Sequence, residues 1–315
     1  MNEFAERIER DFPVRRKEKE KVDFRTWLVY TLKELGYSPK LESGTSALSA
    51  GGNVTNVVVG DIEKAKIVLA AHYDTGVREV LPPLICPTRP ATYMLYEALM
   101  PLLALAVSFL ISFGVTFALN MPNMTLPLFL LLLVVGLFYP KYGKSETNNK
   151  NANTSGVVAL LEVAKALTPR YRGEVCFLFL DGNAQASKGA KRLRRAHPCL
   201  KDKPVFVVDC VGEGDELLVL PSKASRWDGD LLDAINENFV NSDKKTCFLK
   251  VDGQIIFPSD NAAFPHSTVV CACKKVGGFG RCILPRGTQE IDEENIALLR
   301  EGLSKLIMNY HPQKA

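Results

Sequence analysis

Ile67-Val-Leu-Ala-Ala-His-Tyr-Asp-Thr75 is the stretch on which the fold turns. Its first five residues continue an apolar run from Lys66, and an unbroken run of this length reads as a strand buried on both faces, as in a largely parallel sheet. His72-Tyr73-Asp74 follows at once. The carboxyl end of a buried parallel strand is where α/β folds carry their chemistry. A histidine there can ligate a metal, and an aspartate two residues on can orient its ring.

Working outward, the same apolar pattern recurs at Val175–Leu180 and at residues 204–208. Apolar residues at helical spacing occupy 22–35, 155–167 and 294–308. Strands alternating with helices predict a doubly wound α/β domain, with a mixed, mostly parallel sheet flanked by helices.

That domain is interrupted. Residues 98–119 carry no charge, enough to cross the ~30 Å apolar core of a bilayer at 1.5 Å per residue. A second uncharged run, 126–139, reaches the length of a short span if it borrows residues 122–125. Asn120-Met-Pro-Asn-Met-Thr125 between them is turn-forming. The two runs predict a transmembrane helical hairpin over residues 93–140, inserted into one globular domain made of 1–92 and 141–315. Pro101 and Pro127 are expected near the helix starts, where proline is tolerated. Tyr93, Tyr96, Tyr139 and Tyr142 flank the hairpin as interfacial aromatics do. Arg89, Lys141 and Lys144 stand on the flank side, so the positive-inside rule predicts two spans with the globular domain in the cytoplasm. A soluble core hairpin is the competing reading, opposed by the lack of any polar face in Leu126-Pro-Leu-Phe-Leu-Leu-Leu-Leu-Val-Val-Gly-Leu-Phe-Tyr139.

Composition agrees with a globular chain: of 315 residues, 47% are apolar and 23% charged, with a formal net charge of +4. Neither a basic stripe nor interleaved aromatics point to nucleic acid. The basic run Arg15, Arg16, Lys17, Lys19, Lys21 is broken by glutamates and reads as a solvated helix face. The eight cysteines are scattered. Cys176, Cys210 and Cys271 sit in strand-like runs as small hydrophobes, and Cys271-Ala-Cys273 lacks the second pair of a zinc finger. Residues 1–12 do not read as a signal peptide. Together these features predict a reducing compartment.

Several segments then appear in a telling order: Asn56-Val-Val-Val-Gly60, the stretch 67–75, Asn153-Thr-Ser-Gly156 opening a helix, Phe177-Leu-Phe-Leu-Asp181, Val207-Val-Asp209, Ser259-Asp260 with Phe264, and Ile291-Asp-Glu-Glu-Asn-Ile296. This order resembles the zinc aminopeptidases of metallopeptidase family twenty-eight, which includes bacterial leucyl aminopeptidases and glutamate carboxypeptidase. The resemblance covers nearly the whole chain except the hairpin. It implies two zincs bridged by a carboxylate, a polarised water and a glutamate base. Carried over residue by residue, the first histidine ligand matches His72, its orienting carboxylate Asp74, and a later aspartate ligand Asp209. The bridging aspartate falls on Ala152, the base and the next ligand on Asn183 and Ala184, and the last histidine on Ile283. The survivors, His72 and Asp209, serve one metal, and an amide at Asn183 cannot take a proton at neutral pH.

Two functions follow as expectations. One is a catalytically inactive, membrane-anchored pseudopeptidase acting as a binding or scaffolding domain. Its partners are the lipid bilayer, through the hairpin, and a peptide or membrane protein; it needs no cofactor. The other is an amide hydrolase or aminopeptidase with one zinc at His72 and Asp209, helped by His266, which follows Ser259-Asp260. His197, His266 and His311 are each read first as structural, His266 being the best substitute ligand of the three. Spans without ionisable groups argue against a transporter or channel. Ser155 lacks the nucleophile-elbow pattern, and Gly212-Glu-Gly214 and Gly277-Gly-Phe-Gly280 are read as turns rather than phosphate loops.

Overall fold

A computed structural model describes residues 2–44, 53–78, 84–283 and 290–311. In chain order the elements are α1 (Glu3–Asp11), α2 (Glu18–Glu34), β1 (Pro39–Gly44), β2 (Val54–Val59), β3 (Ile67–His72), α3 (Pro90–Ala118), α4 (Thr125–Tyr142), α5 (Ser155–Ala166), β4 (Val175–Leu180), α6 (Lys188–Ala196), β5 (Val205–Val208), β6 (Glu216–Pro221), α7 (Gly229–Asn238), β7 (Thr246–Leu249), β8 (Ser267–Val276), β9 (Gly280–Cys282) and α8 (Glu293–Asn309). The strands form one sheet in the order β1-β2-β4-β3-β5-β8-β6-β7, with β9 pairing β8. Its centre, β4-β3-β5-β8, is parallel. β1 and β2 extend one side in antiparallel pairings, and β6 pairs β8 antiparallel on the other.

The central strands are buried throughout, and their side chains alternate between two cores, as the two-residue period of a strand requires. Leu69, Phe177, Phe179 and Phe206 pack with α2, α5 and α8 on one face. Val68, Leu178, Val205 and Val207 pack with Leu193 of α6 on the other. The predicted strands and helices at 22–35, 155–167 and 294–308 are thus present, within a few residues at their ends.

The basic run is solvated only in part: Lys17 and Lys19 are exposed, but two of its members are not. Arg15 is fully buried and Lys21 is 3% exposed. The Arg15 guanidinium donates to the carbonyls of Tyr73 and Phe12 and to Thr154 Oγ1. Lys21 Nζ lies 2.7 Å from Asp181 Oδ1. Charge counting along the chain could not show this, because Tyr73, Thr154 and Asp181 are distant in sequence.

α3 and α4 form the predicted helical hairpin, joined through residues 119–124. α3 is 29 residues long, about 43 Å at 1.5 Å per residue. It contains an 18-residue stretch apolar enough, and is long enough, to cross a membrane. α4 has 18 residues, about 27 Å, with a shorter apolar portion, so one helix rather than two meets the spanning criteria among the described residues. The hairpin is inside-out compared with a soluble one. Ser112 and Thr116 are the buried residues of α3, and Thr116 Oγ1 lies 2.6 Å from Thr125 Oγ1 of α4. Leu102, Leu110, Phe117 and Leu126 are 60% or more exposed. Small hydroxyl residues between helices with apolar side chains outward is the arrangement lipid favours. Pro101 lies inside α3 rather than near its start. The helix begins eight residues before the uncharged run, with Pro90 in its first turn.

The cysteines also differ from expectation. Cys86 and Cys282, 196 residues apart, are disulfide-bonded, which a reducing compartment does not favour. No local spacing announces the pair. Cys271 and Cys273 are buried and free, as core residues.

Candidate functional site

The parallel strands β3, β4 and β5 end at one edge of the sheet, and the site assembles there. His72 closes β3, Asp181 follows β4 and Asp209 follows β5. α5 starts against these ends because Gly156 lets it approach: a Cβ at this position would stand 2.4 Å from the Val208 carbonyl oxygen. The entry to α5 is tied to the loop after β5. Asn151 Oδ1 accepts from Gly212 N at 2.8 Å, and Ser155 Oγ accepts from Val211 N at 3.1 Å.

His72 is 5% exposed and sits among three buried carboxylates, those of Asp74, Asp209 and Asp260. Its Nδ1 is 3.6 Å from Asp260 Oδ2 and 3.9 Å from Asp209 Oδ2, beyond hydrogen-bond reach but close enough for strong charge interaction. Burial pulls the imidazole pKa down, yet Asp209, Asp260 and Asp74 together hold it above its usual value. Burial lifts the Asp260 carboxyl to about 6, against the pull of His72. Ser259 Oγ donates to Asp209 Oδ2 at 2.5 Å. Four buried atoms have no partner with hydrogen-bond geometry: His72 Nδ1, Asp209 Oδ1 and both oxygens of Asp260. Asn183 and Ser187 nonetheless lie near enough to Asp260 to hold its pKa down. Unpaired buried groups are costly, so such a cluster is a candidate site for a ligand, ion or ordered water.

The backbone is unusual at this edge. Gly182, Ala186, Ser187 and Cys210 all have left-handed φ values, between 53° and 74°. For the three that are not glycine this is a strained conformation of the kind found at functional sites.

Asp74 does more than orient a ring. Its two carboxylate oxygens accept the backbone N–H groups of Asn183 and Ala184 at 2.9 and 3.1 Å, and Asn153 Nδ2 donates to its carbonyl at 2.6 Å. The loop in which the resemblance places two glutamates is therefore held by its main chain, with Asn183 and Ala184 as side chains. Ala152 is half-buried in the turn before α5, packed against apolar residues. Ile283 is buried and pairs with Ile85 in an isolated antiparallel bridge; residues 284–289 of its segment lie outside the described residues.

Two expectations are corrected. His266 is not at the cleft. It immediately precedes β8, at the opposite edge, with Nδ1 2.7 Å from the Asp202 carbonyl and Nε2 3.5 Å from Asp228 Oδ2. Residues 261–266 carry the chain down the sheet before β8 begins. Instead Asp260, to which sequence reasoning gave no role, stands beside His72. The signal was present in Ser259-Asp260-x-x-x-Phe264, but no local feature said which of its polar groups turns inward. His197 pairs with Glu42, and His311 lies against Lys66, both away from the site.

The fold, with its parallel central sheet, matches solved structures. A glutaminyl cyclase from Porphyromonas gingivalis superposes with a TM-score of 0.57 at 14% identity, over 97% of this chain and 95% of that one. A Zn-dependent exopeptidase from Parabacteroides distasonis gives 0.56 at 12% identity, over 97% and 95%. A leucine aminopeptidase precursor from Bacteroides thetaiotaomicron gives 0.55 at 13% identity, over 98% and 95%. The fold is that of the zinc exopeptidases and glutaminyl cyclases. No family model matches the chain, and no curated protein matches it in sequence.

Within this exopeptidase fold, the residues present do not fit a two-zinc centre. The resemblance assigns the bridging carboxylate to Ala152, which carries none. Among the described residues no group of three or more His, Cys, Asp or Glu side chains is arranged to hold a metal.

Proposed function

We propose that this chain is a membrane-anchored pseudopeptidase: an exopeptidase fold whose cleft binds a peptide segment without cleaving it. The observation that carries the reading is the state of the three positions that would supply the bridge, the base and a ligand. Ala152, Asn183 and Ala184 offer no carboxylate, and Asp74 is engaged with the main chain of the last two. An amide and two methyl groups cannot accept a proton from water at neutral pH. The hairpin is the anchor, supported by the length and apolarity of α3 and by the outward apolar surface of both helices. α4 completes a second crossing in this reading. The flanking charges Arg89, Lys141 and Lys144 support a cytoplasmic domain under the positive-inside rule. The Cys86–Cys282 pair argues the other way, and protease protection in intact cells decides between them.

A second reading is favoured by one observation. His72 Nδ1 and Asp209 Oδ1 are buried without partners, as donors awaiting a single metal are. The test is zinc content per chain, with aminopeptidase and glutaminyl cyclase assays on the same preparation purified in detergent without chelators. No zinc and no turnover are expected. One zinc lost in His72→Ala, with activity lost in step, establishes the one-metal hydrolase. Two zincs per chain overturn both readings.

A further inference from the structure

The hairpin and the candidate site share one edge of the sheet. From His72 the chain runs only five residues to Val77, which bridges Ser145. Arg78 N donates to the Lys144 carbonyl at 2.8 Å, and Glu146 N to the Gly76 carbonyl at 3.1 Å. This short ladder joins the strand that ends in His72 to the segment leaving α4. Val77 is therefore within about 18 Å of His72, given at most ~3.6 Å per residue of chain, and α4 ends three residues before its bridge partner Ser145. Arg16 Nη1 fastens it further, donating to the Gly143 carbonyl at 2.6 Å.

The start of α3 is held at the same edge. β8 runs parallel to β5 and continues beyond the level of Asp209, whose N–H bonds the Val270 carbonyl. Its far end pairs with β9. There the Cys86–Cys282 disulfide and the Ile85–Ile283 bridge attach the chain four residues before α3. Arg89 Nη1 donates to the Gly278 carbonyl at 2.5 Å, and Ile256 N to the Pro87 carbonyl at 3.2 Å. Residue 256 lies on the segment that delivers Ser259 and Asp260 to the site. Both roots of the hairpin thus grip elements that build the cleft, and neither has a free linker that would let the domain turn away.

We infer that the carboxyl edge of the sheet faces the lipid surface, so that the cleft receives a juxtamembrane peptide segment of a membrane-bound chain rather than a peptide from bulk solution. The inference rests on the membrane reading above. Lipid is the occupant of the α3–α4 surface, since beyond Glu97 the large outward side chains of α3, and those of α4 from Leu126 to Val135, are apolar, while Ser112 and Thr116 are turned inward toward Thr125. The opposite edge, with Lys201, Asp202 and His266, then faces water. The strands are about 20 Å long at ~3.3 Å per residue, so the two edges differ in depth by a distance that a short-range quencher resolves.

The full chain is reconstituted in phosphatidylcholine vesicles with a fluorescent amino acid at Gln185, exposed beside the site, or at Lys201, exposed at the other edge. Flotation with the vesicles is measured first. A nitroxide carried on the lipid headgroup is then compared with a soluble quencher coupled to dextran. The lipid-borne quencher is expected to act several-fold more strongly on the Gln185 probe than on the Lys201 probe. The dextran-borne quencher should lose most of its effect at Gln185 on going from detergent to vesicles, and keep it at Lys201. Equal or reversed quenching in a protein that floats overturns the orientation while leaving the anchor intact. A chain that does not float overturns the anchor and the orientation together.

Discussion

Replacing Lys21 by methionine tests whether the basic N-terminal segment is structural. The Lys21 ammonium and the Asp181 carboxylate are 2.7 Å apart with side chains 4% and 0% exposed. At an effective dielectric of about 20 their attraction is roughly 6 kcal/mol, most of it offset by desolvation of both groups. Removing the ammonium leaves the desolvated carboxylate behind, which costs about 3–5 kcal/mol. Asp181 keeps the Thr55 N–H on Oδ2 at 3.0 Å and Arg25 Nη1 at 3.8 Å, so the lower end of that range, about 3 kcal/mol, is expected. Lys21→Met with Asp181→Asn removes the orphaned charge while an amide oxygen still accepts from Thr55. The double variant should therefore recover at least about 1 kcal/mol over the single one. Urea midpoints of the full chain in detergent, at unchanged slope, report both values. A Lys21→Met protein within about 1 kcal/mol of the parent, or a double variant no better than the single, refutes the account.

Three further outcomes are expected. Asp260 has a folded pKa of about 6 against an ordinary 3.8, so its protonated form adds stability that is complete below 3.8 and lost as pH rises through 6; Asp260→Asn should therefore match the parent at pH 4 and exceed it at pH 7.5 by up to about 3 kcal/mol, read from urea midpoints against pH. Gly189→Ala would put a Cβ 2.0 Å from the Asp181 carbonyl oxygen and should lower stability by about 1–3 kcal/mol or more, whereas Gly173→Ala, with nothing within 4 Å, should change it by less than about 1 kcal/mol in thermal or chemical melts. Arg15→Met leaves the Thr154 hydroxyl and the Tyr73 and Phe12 carbonyls without their donor and should cost about 3 kcal/mol, with faster hydrogen exchange at residues 73–75 as the local readout.

The fold was legible where burial is local. Ile67–His72, Val175–Leu180 and the apolar period of residues 155–167 each announce themselves, because a strand or helix buried on most sides must be apolar along its length. The carboxyl-edge location of His72 and Asp209 followed from the same pattern. What stayed hidden depends on contacts between residues far apart in the chain. Arg15 and Lys21 look solvated until Tyr73, Thr154 and Asp181 are brought to them. Cys86 and Cys282 are unremarkable until β9 folds back. His266 and Asp260 stand only six residues apart, yet the segment between them descends the sheet and separates their fates. No periodicity marks such a descent.

The cluster around His72 also bears on why the site is not merely a worn core. A core that no longer needs its polar groups gains stability by replacing buried charges with apolar side chains of similar size. Ala152 and Ile283 fit that direction. Asp74, Asp209 and Asp260 do not: all three remain buried, Asp260 is held as a carboxyl that burial disfavours ionising, and two of the three leave oxygens unpaired. Asp74 has a structural use, since it fixes the loop of Asn183 and Ala184. Asp209 has a weaker one through Ser259. Asp260 has only the nearby Asn183 and Ser187 side chains, with His72 Nδ1 3.6 Å away. Peptide capture by an Asp260→Asn protein that is stabilised as predicted therefore separates two accounts of this edge. If the substitution stabilises the protein yet abolishes capture of a juxtamembrane peptide, the strained carboxyl belongs to the ligand. If it stabilises the protein and leaves capture intact, the cluster is a relic and recognition lies elsewhere along the cleft.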